Sequence, residues 1–289
     1  MKYLISGAGG QLGREWIRLL DKSTNGDEFV ALNHGEFDIT DRDSVKKIIK
    51  KEEPDVLINC AAYTDVDGAE NHQEKADLIN HRAVRNLAGE CAAAGVKLVH
   101  YSTDYVFPGN QDDEQIYPDG YPEDAKTDPV NVYGKTKLAG EEALKQETDD
   151  YLLIRVSWLC GSVGKNFVKT MLRLGSERKE LSVVDDQVGS PAFTFDVAEK
   201  TRWLVKNHKT GTYHLSSGGK ITWADFAEEI FEMAGMDVKV NRVTSEAFIT
   251  VAIRPAFSLL SKGKIEDDGL LPIPWKNGLS ELLNSLKMK

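Results

Sequence analysis

Three features in succession at the N-terminus constrain the fold most. They are an apolar run, Tyr3-Leu4-Ile5, the glycine series Gly7-x-x-Gly10-x-x-Gly13, and a helical pattern from Gln11 to Leu20 with Leu12, Trp16, Leu19 and Leu20 on one face. A buried strand that turns sharply into an amphipathic helix opens a βαβ unit. The pattern then repeats. Phe29–Leu32, Val56–Ile58, Lys97–Tyr101 and Leu152–Ile154 read as strands with little polar alternation. Helical patterns stand between them, around Val45, Ile48 and Ile49, over 76–94 and over 131–145. Thr40 with Asp43 marks a capping-box start for the first of these, and Pro54 marks its end. Strands of this kind are buried on both faces, which implies parallel pairing with helices above and below. Right-handed crossovers then give an α/β, doubly wound parallel sheet with ligands at the C-terminal ends of its strands.

After about Trp158 the alternation loosens. Thr222 with Asp225 opens a helix that runs to Ala234, and 279–286 forms a terminal helix. Residues 1–157 are therefore assigned to a Rossmann-like dinucleotide-binding domain and 158–289 mainly to a smaller C-terminal lobe. Residues 181–207 are expected to return to the first domain, with Leu181–Val184 joining its sheet. Between the fourth strand and the helix at 131 lies a long acidic stretch, Phe107–Asp128, rich in Gly, Pro and Asp and carrying Tyr117 and Tyr121. Loops of that length inside a compact domain are commonly lids or binding loops.

The net charge of −10 excludes a whole-chain basic footprint for nucleic acid, so any anionic ligand must meet local positive charge. Three cysteines, Cys60, Cys91 and Cys160, form no C-x-x-C pair and suggest neither a disulfide framework nor a zinc site. The N-terminus has no signal-peptide layout, and no apolar run approaches the length needed to span a bilayer. The expectation is a reduced, cytoplasmic protein with no membrane or nucleic-acid partner.

The glycines fit a dinucleotide cradle. Gly7 allows the turn off the first strand, Gly10 lets backbone approach a pyrophosphate, and Gly13 permits close helix–strand contact. Gln11 and Leu12 belong to the same cradle, where the helix N-terminus offers unpaired N–H groups to the anion. The first interval is one residue longer than in G-x-G-x-x-G. Asp38 and Ile39 are placed at the adenine edge. Ala61, Ala62 and Tyr63 follow the third strand, where small residues let a dinucleotide lie flat. The second strand ends Leu32-Asn33-His34, without the acidic residue that would repel a 2′-phosphate, which favours NADPH and leaves NADH as the alternative.

Tyr133 and Lys137 lie four apart on a helix and share a face. A phenol is a weak acid–base group at neutral pH, and an adjacent ammonium is expected to bring it towards the working range. Lys137 also has the reach to hold a cofactor ribose. Thr103, just past the fourth strand, is expected to hold a substrate oxygen near Tyr133. A Tyr-x-x-x-Lys pair occurs about once by chance in a chain of this size; its order after the glycine series and Ser102-Thr103-Asp104 carries the argument.

These residues resemble the extended short-chain dehydrogenase/reductase superfamily and, within it, the dTDP-4-dehydrorhamnose reductase family. The segments that carry the resemblance are Gly7–Gly13, Ala61–Asp67, His100–Gly109, Asn131–Glu141, Arg155–Trp158, Gly164–Phe167, Asp186–Pro191, Gly211–Leu215 and Arg254-Pro255, covering nearly the whole chain. The resemblance implies NAD(P)H-dependent reduction of the 4-keto group of dTDP-4-dehydro-L-rhamnose to dTDP-L-rhamnose. Tyr133 would be the proton donor, Lys137 its modulator and Thr103 the carbonyl positioner. Thr64, Asp104, Tyr105, Trp158 and Asn166 would line the sugar and nucleotide side, and Arg254 would meet the diphosphate. Some family members form a magnesium-linked homodimer. Glu15 is present here, but Phe195 stands at the second carboxylate position with Asp196 beside it, so no metal ligand is carried over. A nucleotide-sugar epimerase or dehydratase of the same fold, and a noncatalytic cofactor-binding regulatory subunit, remain as alternatives.

Overall fold

Side chains that alternate between two apolar layers along short strands decide the architecture. In a computed structural model, residues 1–24, 26–248 and 250–287 are described. The principal elements are β1 (Lys2–Ser6), α1 (Gln11–Asp21), β2 (Glu28–Leu32), α2 (Arg42–Glu52), β3 (Val56–Asn59), α3 (Ala83–Ala94), β4 (Lys97–Thr103), α4 (Val132–Glu147), β5 (Tyr151–Val156), α5 (Phe167–Glu177), β6 (Glu180–Val184), α6 (Thr194–Lys206), β7 (Gly211–Leu215), α7 (Trp223–Ala234), β8 (Lys239–Val243) and α8 (Trp275–Lys287).

Six strands form one all-parallel sheet in the order β7-β5-β4-β3-β1-β2. Tyr3 and Ile5, Val56 and Ile58, Val99 and Tyr101, and Leu152 and Ile154 face one layer with Trp16 of α1 and Val197 and Leu204 of α6. Their neighbours Leu4, Leu57, Leu98 and Leu153 face the other, with Val45, Leu87 and Leu144 of α2, α3 and α4. This is the period of two that a strand buried on both faces must show. The chain reverses direction at β1, which has β2 on one side and β3 on the other, and the crevice outside their C-terminal ends is the expected ligand site. A second core gathers α5, α7 and α8 around the parallel pair β6–β8.

Three local expectations are corrected. The helix start at Thr40 moves one residue on. Asp41 is the N-cap, accepting from the Asp43 N–H, while Thr40 bonds back to Asp38. The long helix over 76–94 carries a widened π turn at Leu78–Arg82 before α3 begins. That turn accompanies an inward Asn80, whose amide donates to Tyr63 O (3.0 Å) and to Thr136 Oγ1 (3.2 Å) and accepts from Tyr63 N (2.9 Å). Leu181–Val184 does not join the main sheet. In β6 only Leu181 and Val183 are buried while Glu180 and Ser182 are exposed, a one-sided strand unsuited to a sheet covered on both faces. It pairs with β8, and β7 takes the main-sheet edge.

The Phe107–Asp128 loop is built around an apolar centre of its own. Phe107 stacks on Tyr121 with ring centroids 4.4 Å apart, and both pack with Phe257, Leu259 and Leu260 in a small core of their own. The Tyr121 hydroxyl donates to Asp113 and accepts from Gly109 N.

Candidate active site

The turn after β1 leaves no room for side chains. Gly7 sits at φ +66°, and a Cβ there would lie 2.6 Å from Ala61 N. A Cβ on Gly13 would run into the Gly7 carbonyl. Gly10 is the N-cap of α1 and donates to Gly7 O (3.0 Å), so the first N–H groups of α1 open into a cleft of about 670 Å³. Gly10, Gln11, Leu12, Ala62 and Thr64 line one side of it. A backbone cradle that excludes a Cβ at Gly7 and Gly13, at a helix N-terminus and at the strand-order reversal, fits a dinucleotide pyrophosphate.

The floor of the cleft is built from the end of β4 and the first turn of α4. Asn131 caps α4 by accepting from Gly134 N (2.8 Å), which sets Tyr133 at the helix start. Gly134 is required there because a Cβ would meet Tyr105 O. The Tyr133 phenol and Thr103 line the same cleft. Thr103 Oγ1 donates to Asp104 Oδ1 (2.9 Å) and accepts from Tyr105 N (3.2 Å). Burial raises the Tyr133 phenol above its ordinary range, with Asp104 and Tyr105 adding to the rise and Thr103 opposing it. The tyrosine is therefore protonated through neutral pH. Burial also pushes the Asp104 carboxyl up to about 7. Tyr105 packs edge-on against Tyr133, ring centroids 5.8 Å apart.

Lys137 shares the cleft floor with Tyr133 and is anchored to the end of β4. Its Nζ donates to Tyr101 O (2.6 Å) and lies 3.3 Å from His100 Nε2. Burial lowers Lys137 to about 8, against a smaller upward pull from Glu141. Glu141 is in turn held by the buried Arg155 of β5.

The wall opposite the glycines comes from the smaller lobe. Trp158 has a positive φ of 46°, unusual for a bulky residue and a mark of a position held by its surroundings. Its indole stacks on Trp223, centroids 3.6 Å apart, and both rings line the cleft. Beyond Tyr105 and Trp223 the cleft continues into a largely apolar groove of about 710 Å³ that includes Phe167, Met171 and Arg254. Arg254 pairs with Asp67 (2.7 Å), and the Ala252 N–H donates to the same carboxylate.

Residues 1–288 match the family described as RmlD substrate binding domain. The spore coat polysaccharide biosynthesis protein SpsK of Bacillus subtilis is 42% identical over 98% of this chain and 96% of its own length. The crystal structure of a dTDP-4-dehydrorhamnose reductase from Clostridium acetobutylicum superimposes with a TM-score of 0.94 at 39% identity, covering 100% of both chains. The chain belongs to the dTDP-4-dehydrorhamnose reductase family. Another family member, from Bacillus anthracis and solved in complex with NADP, superimposes with a TM-score of 0.93 at 38% identity over 98% of this chain and 99% of its own.

Several candidate site residues do not line the cleft. Ile39 is buried in the layer with α2 and α3, and Asp38 is held by Thr40 outside the cleft. Ala61 and Tyr63 flank the cleft without lining it; Tyr63 is pinned through its backbone by Asn80. Asn166 is spent on structure. It caps α5 and donates to Gln11 Oε1 (3.0 Å) and Gly161 O (2.7 Å), so it places Gln11 without lining the cleft. Arg254 lines the groove and not the cleft itself. Sequence reasoning missed Trp223, which follows the Thr222 cap, and Lys165, which lines the cleft beside Gly164.

The magnesium site of some family members does not fit these residues. Glu15 is held by Arg18 and accepts from Thr194 Oγ1 (3.2 Å), and Asp196 is bonded twice by Lys200 (2.6 Å). Both carboxylates already have their cation. Among the described residues no group of three or more His, Cys, Asp or Glu side chains is arranged for a metal, and no helix is long and apolar enough to cross a membrane.

Proposed function

We propose that this protein reduces the 4-keto group of dTDP-4-dehydro-L-rhamnose to give dTDP-L-rhamnose, with NADPH as the preferred reductant and NADH as the alternative. The observation that carries this reading is the meeting of Tyr133, Thr103 and Lys137 at the floor of a cleft whose wall is the glycine cradle. The nicotinamide, when bound, supplies a hydride to the carbonyl carbon. Thr103 holds the carbonyl oxygen beside Tyr133, and the phenol gives that oxygen its proton. A phenol kept protonated by burial suits a donor, where a base for the reverse direction would need the phenolate. Lys137 holds the ribose hydroxyls from one helical turn away.

Trp158 and Trp223 flank the sugar, Thr64 and Asp104 bond its hydroxyls, and Tyr105 marks the passage to the nucleotide. Arg254 exchanges Asp67 for the diphosphate, which supplies local positive charge in a chain of net charge −10. The test is oxidation of NADPH, beside NADH, with enzymatically generated dTDP-4-dehydro-L-rhamnose. Stoichiometric oxidation with dTDP-L-rhamnose as product is expected. Tyr133→Phe should lower turnover by roughly 10³-fold and leave NADPH affinity almost unchanged. A purified protein that carries tight NAD and oxidises no added NADPH would refute the reading and point to an epimerase.

A further inference from the structure

A polar row crosses the otherwise apolar layer beneath the cleft. Ser6, Asn59 and His100 are register partners on β1, β3 and β4, and all three are buried on the side of the sheet that α4 covers. Ser6 Oγ donates to Asn59 Oδ1 (2.7 Å). Asn59 Nδ2 lies 3.0 Å from His100 Nδ1, and His100 Nε2 lies 3.3 Å from Lys137 Nζ. The row thus runs from the residue before Gly7 to the lysine of the candidate site.

Donor counting fixes its protons. The Ala61 N–H, a donor that cannot turn away, points at Asn59 Oδ1 (3.2 Å) together with the Ser6 hydroxyl. The other end of the amide, Nδ2, therefore faces His100 and donates to Nδ1. Burial holds His100 neutral, with the charge of Lys137 adding to the effect. A neutral imidazole that accepts at Nδ1 carries its hydrogen on Nε2. That N–H is aimed at Lys137 Nζ. An amine accepts it through its lone pair. An ammonium has no lone pair and meets it donor against donor.

The ionisable groups around Lys137 are few. Glu141 lies one turn along α4, engaged by Arg155 of β5. Tyr133 of α4 and the Cys60 thiol after β3 are both held neutral by burial, and Asp104 after β4 lines the same cleft. Glu141 alone favours the ammonium.

We propose that His100, fixed as its Nε2–H tautomer by Asn59, disfavours the ammonium form of Lys137 and so sets the alkaline limb of turnover. His100 and Asn59 are positioning residues that touch neither cofactor nor substrate. The proposal deepens the reading of Tyr133 as proton donor and Lys137 as its ribose-holding neighbour and rests on it.

Asn59→Asp tests it. One carboxylate oxygen keeps the bonds from Ser6 and Ala61, and the other accepts from His100 Nδ1–H. The proton moves off Nε2, whose lone pair then favours the ammonium. The alkaline limb of kcat/KM should rise by about one pH unit or more. A buried carboxylate also raises the proton affinity of Lys137 by charge alone, so the substitution is repeated in a His100→Leu background. There the shift should nearly vanish; a shift that survives intact overturns the proposal. His100→Leu alone, which removes the opposing N–H, should move the limb the same way and guards against a misfolded Asn59→Asp; an unmoved limb in His100→Leu overturns the proposal.

Two readouts need no substrate. The long-range ¹H–¹⁵N spectrum should show the His100 signals, identified by their loss in His100→Leu, as Nε2–H in the parent protein and Nδ1–H in Asn59→Asp. The Nζ titration of ¹⁵N-labelled lysine should shift upward with it. A parent Nδ1–H tautomer refutes the proposal. A protein with the expected tautomer and titration that reduces no 4-keto sugar nucleotide refutes the functional reading alone.

Discussion

Asp104 is a carboxylate that the fold tolerates poorly in its charged form, and its replacement by Asn has a calculable signature. The side chain is buried; Oδ1 accepts from Thr103, and Oδ2 has no hydrogen-bond partner. Burial moves its pKa from 3.8 to about 7. About three units at about 1.4 kcal/mol each correspond to about 4 kcal/mol, an upper figure because water entry would relieve part of it. The sign follows from the direction. A group whose folded pKa lies above its unfolded value contributes stability that is fully present below pH 4 and is lost as pH rises through 7. In Asp104→Asn this loss disappears. The new unpartnered Nδ2 costs about 1–3 kcal/mol, but that cost does not vary with pH. The stability of the variant minus that of the parent should therefore climb by about 1.4 kcal/mol per pH unit between pH 4 and 7 and level off above. Urea unfolding at half-unit pH steps measures it. A difference that stays flat across this range would refute the assignment of a strained carboxylate.

Three further substitutions test the scaffold. Glu141→Gln leaves the guanidinium of Arg155 buried without its counter-charge and should cost about 3–5 kcal/mol in urea unfolding; a cost near zero would mean that Arg155 finds other partners. Thr222→Ala removes the cap that accepts from Asp225 N and should cost about 1 kcal/mol, read from thermal melts, with Trp223 fluorescence as the local reporter. Gly13→Ala drives a methyl group into the Gly7 carbonyl. It should weaken NADPH by roughly tenfold or more, since about 1.4 kcal/mol of displacement suffices for that, and unchanged affinity by calorimetry would remove Gly7–Gly13 from the cofactor site.

The strands were legible because burial on both faces imposes unbroken apolar runs, and Val56–Ile58 or Leu152–Ile154 has no other reasonable use. The floor of the cleft was legible because Thr103, Tyr133 and Lys137 depend on local spacing at a strand end and a helix start. What escaped depends on long-range geometry. Whether Leu181–Val184 joins the large sheet turns on what covers its second face, and its alternation of buried and exposed residues held that answer. Asn166 reads as polar and available, yet its donors and acceptor go to Gln11, Gly161 and Lys169. The π turn at Asn80 is invisible to helical periodicity, since one extra residue in a turn leaves the apolar pattern on either side intact. The Phe107–Asp128 stretch reads as a long loop by composition, but Phe107 and Tyr121 give it an apolar centre that a count of Gly, Pro and Asp conceals.

The smaller lobe is made from two stretches of chain. β6 comes from one and β8 from the other, and α6 and β7, threaded between them, belong to the large sheet. Neither stretch closes the small sheet without its partner, and the partner arrives only after the chain has laid down the last strand of the large one. The groove beside Arg254 is therefore lined from both stretches, with Tyr105 added from the large domain. No single cut frees it as a unit, and a new specificity for this enzyme must be written into the existing chain residue by residue, because the pocket has no boundaries at which a foreign one could be spliced.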